Sequence, residues 1–199
     1  MQNILVCGDS FSADWSAKYP GCKGWPNLLA GQYPVTNLSQ AGCSEYKIWL
    51  QLASANLAQF DVIIVSHTSP YRIPIEHHPV HHSDPLHKNC DLIFSDIEQS
   101  NNVDLQHVAT YFKKFFMPDY AIFTHNLIIK HEIQYLQQHF QGQVLHTTIF
   151  QQDFEFVGHS YVSFEHVFND HKGLINHVSN HGNQIIFNKL ETTLDNYTQ

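Results

Sequence analysis

The chain has 199 residues, of which 43% are hydrophobic and only 14% are charged, so the composition supports a folded core and excludes general disorder. Its 10 Lys and Arg residues stand against 18 Asp and Glu residues, which gives a formal net charge of −8. Because phosphate contacts need clustered basic side chains, nucleic acid and anionic membrane surfaces are disfavoured as partners.

Apolar runs and helical periodicities alternate along the chain, which favours an α/β fold with a parallel sheet. The predicted elements, in chain order, are a strand at Ile4–Cys7, a helix at Trp25–Ala30, a strand at Val35–Leu38, a helix from Ser44 to about Ala58, a strand at Asp61–Val65, helices at Val103–Phe116 and Asp119–Phe140, a strand at Val144–Thr147 and a helix at Gly182–Leu194. Residues 151–170 are predicted to be irregular.

No basic residue precedes the short apolar run at the N-terminus, and no run of about 18 apolar residues follows anywhere in the chain. We therefore expect no targeting segment, no membrane span and a cytoplasmic location. The four cysteines lack Cys-x-x-Cys spacing, so we expect free thiols.

Residues 68–102 interrupt the alternation with four prolines in a polar stretch rich in histidine. A connection this long is typical of a lid or a binding loop at one edge of a domain. Its histidines and carboxylates, from Glu76 to His87, also allow a metal-binding module as an alternative. Pro79 and Pro85 break any helix that would align these side chains, and we favour the lid without a metal.

The tripeptide Gly8-Asp9-Ser10 directly follows the first predicted strand. A serine there lies at the carboxyl edge of a parallel sheet, where α/β proteins place ligands, and the neighbouring backbone N–H groups can hold an oxyanion. The same residues are equally typical of a tight turn, with glycine at the bend and Asp and Ser as local caps.

A histidine, His177, precedes the last predicted helix in the stretch Asn176–Asn183. The last helix of such folds packs near the first strand, so this histidine could reach Ser10. The pairing has chemical meaning because serine is a poor nucleophile until a base takes its proton. Any single histidine among the 16 is otherwise most often a polar surface residue.

Four stretches in order resemble the SGNH (GDSL) hydrolase family: Gly8-Asp9-Ser10-Phe11-Ser12, Gly24–Ala30, Asn37–Ser44 and the late His177-x-Ser-x-x-Gly-Asn. The resemblance implies a three-layer α/β/α, flavodoxin-like fold in one domain spanning residues 1–199. It also implies ester hydrolysis through an acyl-enzyme without a cofactor. Ser10 would be the nucleophile, His177 the base with His181 as the second choice, and the N–H groups of Ser10 and Gly42 the oxyanion hole.

Two positions depart from the family pattern. The asparagine of the family's third block is missing, and Thr68, Ser69 or His67 could supply its hydrogen bond. The family's triad Asp lies three residues before the histidine, where this chain has Leu174, so Asp170 becomes the candidate acid. Asp9 and Arg72 are candidates for substrate binding.

The substrate expected from the breadth of the family is a small acyl ester on a carbohydrate or another polar carrier. The two departures leave a catalytically impaired binding protein of the same fold as an alternative.

Overall fold

The computed structural model describes residues 2–16, 18–81, 83–94, 101–150, 154–173 and 177–195. Within these residues, five strands form one sheet in the order β2-β1-β3-β4-β5, and every neighbouring pair is parallel. The strands are β1 (Ile4–Gly8), β2 (Val35–Asn37), β3 (Val62–His67), β4 (Gln143–Thr148) and β5 (Ser160–Ser163). The predicted α/β class with a parallel sheet is confirmed.

Helices cover both faces of the sheet. On one face lie α1 (Trp25–Ala30) and α6 (Asn180–Asp195), and on the other lie α2 (Glu45–Ser54) and α4 (Pro118–His139). Two further helices, α3 (Val103–Phe115) and α5 (Glu165–Asp170), lie between these elements in the chain. Short 3-10 turns occur at Leu57–Gln59 and Pro85–His87.

The central strands are apolar on both sides, which explains their uninterrupted hydrophobic runs. In β1, Ile4 and Val6 pack toward α1 and α6, whereas Leu5 and Cys7 pack toward α2 and α4. All four side chains are fully buried. The first strand is thus fixed from both faces, and the turn that follows it starts from a rigid base.

The structure differs from the predicted elements at the end of one helix and in the region predicted to be irregular. The second helix ends at Ser54 instead of about Ala58, because Ala55 adopts an extended backbone conformation. The region predicted to be irregular contains both β5 and α5, apart from residues 151–153, which lie outside the described residues. Strand β5 pairs only with β4 and is only partly buried, so its sequence lacks the strong apolar signal of a central strand.

The segment predicted as a lid has a small core of its own. Leu92 packs with Leu105 and Phe112 of α3, and an antiparallel bridge joins Ile73 to Leu92. Residues 82 and 95–100 of this segment lie outside the described residues. Of the helices that the structure describes, none has the length and apolar character needed to cross a bilayer.

Candidate active site

Ser10 lies in the tight turn that follows β1, at the carboxyl end of the sheet. The turn is held by its own backbone, since the carbonyl of Asp9 accepts the N–H of Ser12 at 3.1 Å. Trp15 Nε1 donates to the carbonyl of Ser10 at 2.6 Å. Glycine is required at position 8, because an added Cβ would overlap Ser12 Oγ and Ser66. These contacts place Ser10 at the surface of the site with 8% of its area exposed.

His177 is brought to the same place by a short backbone hairpin before α6. The carbonyl of His177 accepts the N–H of Gly173, and the N–H of Ser179 donates to the carbonyl of His171 at 2.7 Å. The imidazole ring packs against both Phe11 and Trp15, with ring centroids 4.7 Å apart in each case. The aromatic neighbours of Ser10 therefore fix the position of the histidine.

Two connected openings meet at Ser10 and His177. The smaller one, which we call the crevice, has a free volume of about 30 Å³ and is also lined by Trp15, Tyr19 and Cys22. The larger one, which we call the cleft, has a volume of about 980 Å³. Its walls carry many aromatic side chains, including Trp15, Tyr71, Phe94, Phe112, Phe116 and Phe150.

The backbone N–H groups of Ser10 and Gly42, both at the cleft, have no acceptor among the residues that the structure describes. Gly42 has a φ of +79°, a conformation that favours glycine. Its carbonyl accepts the N–H of Asp91 at 3.0 Å, which holds the peptide in place. Free N–H groups beside a serine can stabilise an oxyanion.

Asp9 is fully buried and does not line the cleft, and its contact with substrate stays a prediction. Its carboxylate accepts hydrogen bonds from the Phe11 N–H at 3.0 Å, the Thr68 hydroxyl at 2.8 Å and Arg72 at 2.7 Å. These three hydrogen bonds stabilise the turn that carries Ser10. Arg72 lines the cleft but also donates to the carbonyl of Cys43 at 2.7 Å, and its contact with substrate stays a prediction.

The candidate replacements for the missing asparagine separate into two groups. Thr68 is fully buried and its hydroxyl donates to Asp9, and its role in the oxyanion hole stays a prediction. His67 is also buried, with its ring nitrogens 2.7 Å from Glu45 and 2.8 Å from His146. Ser69 lines the cleft, and its oxygen accepts the Tyr71 N–H at 3.3 Å, which leaves its hydroxyl proton for a ligand.

Asp170 is not brought to His177. It is the exposed last residue of α5, and within the described residues no hydrogen bond or ion pair joins the two side chains. Asp170 as the triad acid therefore stays a prediction. Leu174, at the family's Asp position, lies outside the described residues.

The alternative base, His181, lies on the first turn of α6 with its side chain exposed. Its ring contacts that of His171, with centroids 5.0 Å apart. Unlike His177, it does not line the crevice or the cleft.

The described histidines of the lid segment stack on one another, with ring centroids 4.6 Å apart for His78 and His81 and 5.0 Å apart for His81 and His87. Among the described residues they do not form a group of three convergent metal ligands. His81 and His87 instead line the cleft.

Sequence reasoning missed the aromatic partners of His177. Phe11 and Trp15 lie close to Ser10 in the sequence, and this proximity is the signal that could have identified them. It also missed a buried acidic and histidine cluster behind the turn, because its members come from three distant elements of the chain.

Comparisons with known proteins agree with this architecture. The chain is similar to a solved structure from Desulfitobacterium hafniense DCB-2, described as a proposed lipolytic protein of the G-D-S-L family. The TM-score is 0.52 at 14% sequence identity, with 94% of this chain and 97% of that chain covered. The likeness shows that the two chains share a fold. No family model matches the sequence, and no curated protein matches it either.

Proposed function

We propose that this protein is a serine hydrolase that cleaves a carboxylic ester through an acyl-enzyme at Ser10. The observation that carries the proposal is that Ser10 and His177 line one crevice, beside the N–H groups of Ser10 and Gly42 that lack an acceptor among the described residues. A nucleophile, a base and an oxyanion site are the minimum that acyl transfer requires. The shared fold with a protein described as lipolytic supports the same class of reaction.

The proposed reaction has two halves. Ser10 Oγ bonds to the ester carbonyl carbon while His177 accepts the hydroxyl proton, and the N–H groups of Ser10 and Gly42 hold the oxyanion. The bond to the alcohol oxygen then breaks, and that oxygen takes the proton from His177. A water molecule attacks the acyl-enzyme in the same way, releases the acid and returns the proton to Ser10.

The sizes of the two openings favour a small acyl group on a large alcohol. The crevice has room for about two water-sized groups, which suits an acetyl group. The cleft is large and aromatic, so it suits a leaving group with a broad apolar face. A sugar ring or an aryl group has such a face, in keeping with the expected polar carrier.

A fluorophosphonate probe tests the proposal, because it bonds only to an activated serine. We expect labelling at Ser10 by peptide mass spectrometry, lost in Ser10→Ala and kept in Ser16→Ala, a matched control at an exposed serine of the same turn region. With aryl esters, we expect acetate to be hydrolysed at least about ten-fold faster than octanoate. Equal labelling of Ser10→Ala and the native chain would contradict the proposal.

A binding protein without catalytic activity is the second candidate, and one observation favours it. Within the described residues no hydrogen bond or ion pair joins Asp170 to His177, and removing the aspartate of a triad costs up to about 10⁴-fold in rate in a serine protease. Absence of labelling at Ser10 across the pH range, in a folded protein, would decide for the binding protein.

A further inference from the structure

Behind the nucleophile turn lies a buried cluster of carboxylates and imidazoles that the proposed reaction does not use. His67 is the last residue of β3, Glu45 is the first of α2, and His125 and Glu132 project from one face of α4, seven positions apart. His67 Nδ1 lies 2.7 Å from Glu45 Oε1 and 3.8 Å from Glu132 Oε2. His125 Nδ1 lies 3.7 Å from Glu45 Oε2. The side chains of Glu45, His67 and Glu132 thus converge, and His125 lies beside Glu45.

Among the described residues, only imidazoles lie within ion-pair distance of the acidic members of this cluster. Glu132 has no exposed surface, and among the described residues neither of its carboxylate oxygens has a hydrogen-bond partner. In the same part of the chain no Lys or Arg forms an ion pair with Glu45 or Glu132. Buried carboxylates are normally paired or coordinate metal ions, so Glu132 is suited to bind a cation.

The donor atoms match what a divalent transition metal binds. Two carboxylate oxygens and two imidazole nitrogens are ligands that zinc accepts in tetrahedral sites. Ligand atoms of Glu45, His67 and Glu132 all lie within 4.8 Å of one another. Ligands around tetrahedral zinc are about 3.3 Å apart, so small shifts of these side chains complete the geometry.

The second ring nitrogen of His67 has the outer hydrogen-bond partner that metal-binding histidines usually have. Its Nε2 lies 2.8 Å from His146 Nδ1, and His146 Nε2 lies 2.8 Å from His159 Nδ1. With a cation on Nδ1, the proton of His67 lies on Nε2 and is donated to His146, which in turn donates to His159. Such outer hydrogen bonds fix the ring orientation of a metal ligand.

We propose that Glu45, His67, His125 and Glu132 form a binding site for one divalent transition-metal ion, zinc above all. The ion joins α2, β3 and α4 at one point. It also braces the floor of the cleft, because Glu45 Oε2 accepts the Thr68 N–H at 3.1 Å and Thr68 holds Asp9 next to Ser10. The site is structural, since its ligands are buried and lie outside the cleft.

The test uses the full chain purified without a histidine tag, stripped with EDTA and dialysed against ZnCl₂. We expect one zinc per chain by elemental analysis and a higher unfolding temperature than in the stripped protein. Glu132→Gln keeps the shape of the side chain but loses its charge, and should weaken zinc binding at least about 100-fold. Uptake of Co²⁺ should give the visible absorption of a four-coordinate site in the native chain alone.

The control variant is His81→Asn with His87→Asn, which removes two stacked histidines of the lid segment where zinc could bind by chance. This variant should keep the zinc and the gain in unfolding temperature. Zinc lost with these two histidines, or retained equally in Glu132→Gln, would overturn the proposal. So would a stripped native chain that takes up no zinc, a result that needs no variant to fold.

Discussion

Arg72 Nη2 and Asp9 Oδ2 lie 2.7 Å apart beneath the cleft, 63 positions apart in the chain. Asp9 has no exposed surface, and the side chain of Arg72 is 8% exposed. The pair ties the start of the lid segment to the turn that carries Ser10. A pair this deeply buried acts on the geometry of the turn, and its disruption leaves a carboxylate without its cation.

Arg72→Met should therefore destabilise the protein by about 3–5 kcal/mol, because the buried Asp9 carboxylate loses its cation. Urea unfolding measures the loss. Lys47→Met is a comparison for stability, since Lys47 pairs with fully buried Asp91 at 2.7 Å. We expect both variants to lose stability, and Arg72→Met also to lose fluorophosphonate labelling. Unchanged stability together with a raised KM for an anionic ester would instead assign Arg72 to substrate binding.

His177→Ala should lower kcat/KM for p-nitrophenyl acetate by about 10³-fold or more, because among the described residues no other histidine lines the crevice to take the serine proton. His181→Ala should change it by no more than about three-fold, since that side chain is exposed on α6. Steady-state kinetics with circular dichroism as a folding check measures both. The reverse ranking of the two variants would mean that the base is His181.

Gly42→Ala should damage the oxyanion site. Its φ of +79° strains an alanine by about 1 kcal/mol or more, and the added Cβ overlaps Cys90 Sγ. We expect kcat/KM to fall by about 10²-fold as the N–H moves. Gly21→Ala is the control, because Gly21 has a φ of +90° but open space around its Cβ position. It should show the backbone strain alone, and an equal loss of activity in both variants would argue against a role for Gly42.

The histidine of the lid segment at position 78 should make stability depend on pH. Burial, aided by the nearby charges of His81 and His87, lowers the pKa of His78 to about 4. The unfolded chain binds the proton near pH 6.5, so the folded state binds fewer protons between pH 6.5 and about 4. Stability should therefore fall as the pH drops through this window, by up to about 3 kcal/mol from this group.

His78→Asn tests this pH dependence by urea unfolding at several pH values. The ring nitrogen Nδ1 accepts the N–H groups of Val80 and His81 at 3.1 and 3.2 Å, and an asparagine oxygen can accept the same bonds without titrating. We expect a shallower loss of stability below pH 6.5 in this variant. An unchanged slope would show that His78 does not contribute.

The sheet could be predicted because its central strands are buried on both faces and leave continuous apolar runs, as in Ile4–Gly8 and Val62–His67. The position of Ser10 followed from the same logic, since the end of such a strand marks the functional edge. Strand β5, at the edge of the sheet, was not predicted because a partly buried strand contains both polar and apolar residues.

The triad acid could not be predicted because spacing along the chain does not determine where a side chain points. Asp170 precedes His177 closely, yet within the described residues no hydrogen bond or ion pair joins their side chains. The cluster around Glu132 was hidden for a related reason. Its contacts depend on α2 and α4 packing against β3, and no local pattern records that packing.

Leu92, Leu105 and Phe112 form a small core that is separate from the cores packed on the sheet. This wall of the cleft therefore depends less on the sheet than the floor does. Substitutions at Phe94 or Phe116 can reshape this wall while the sheet and the nucleophile turn keep their positions. Substitutions confined to this wall, in evolution or in a designed library, can thus change which substrate is bound without changing the catalytic residues.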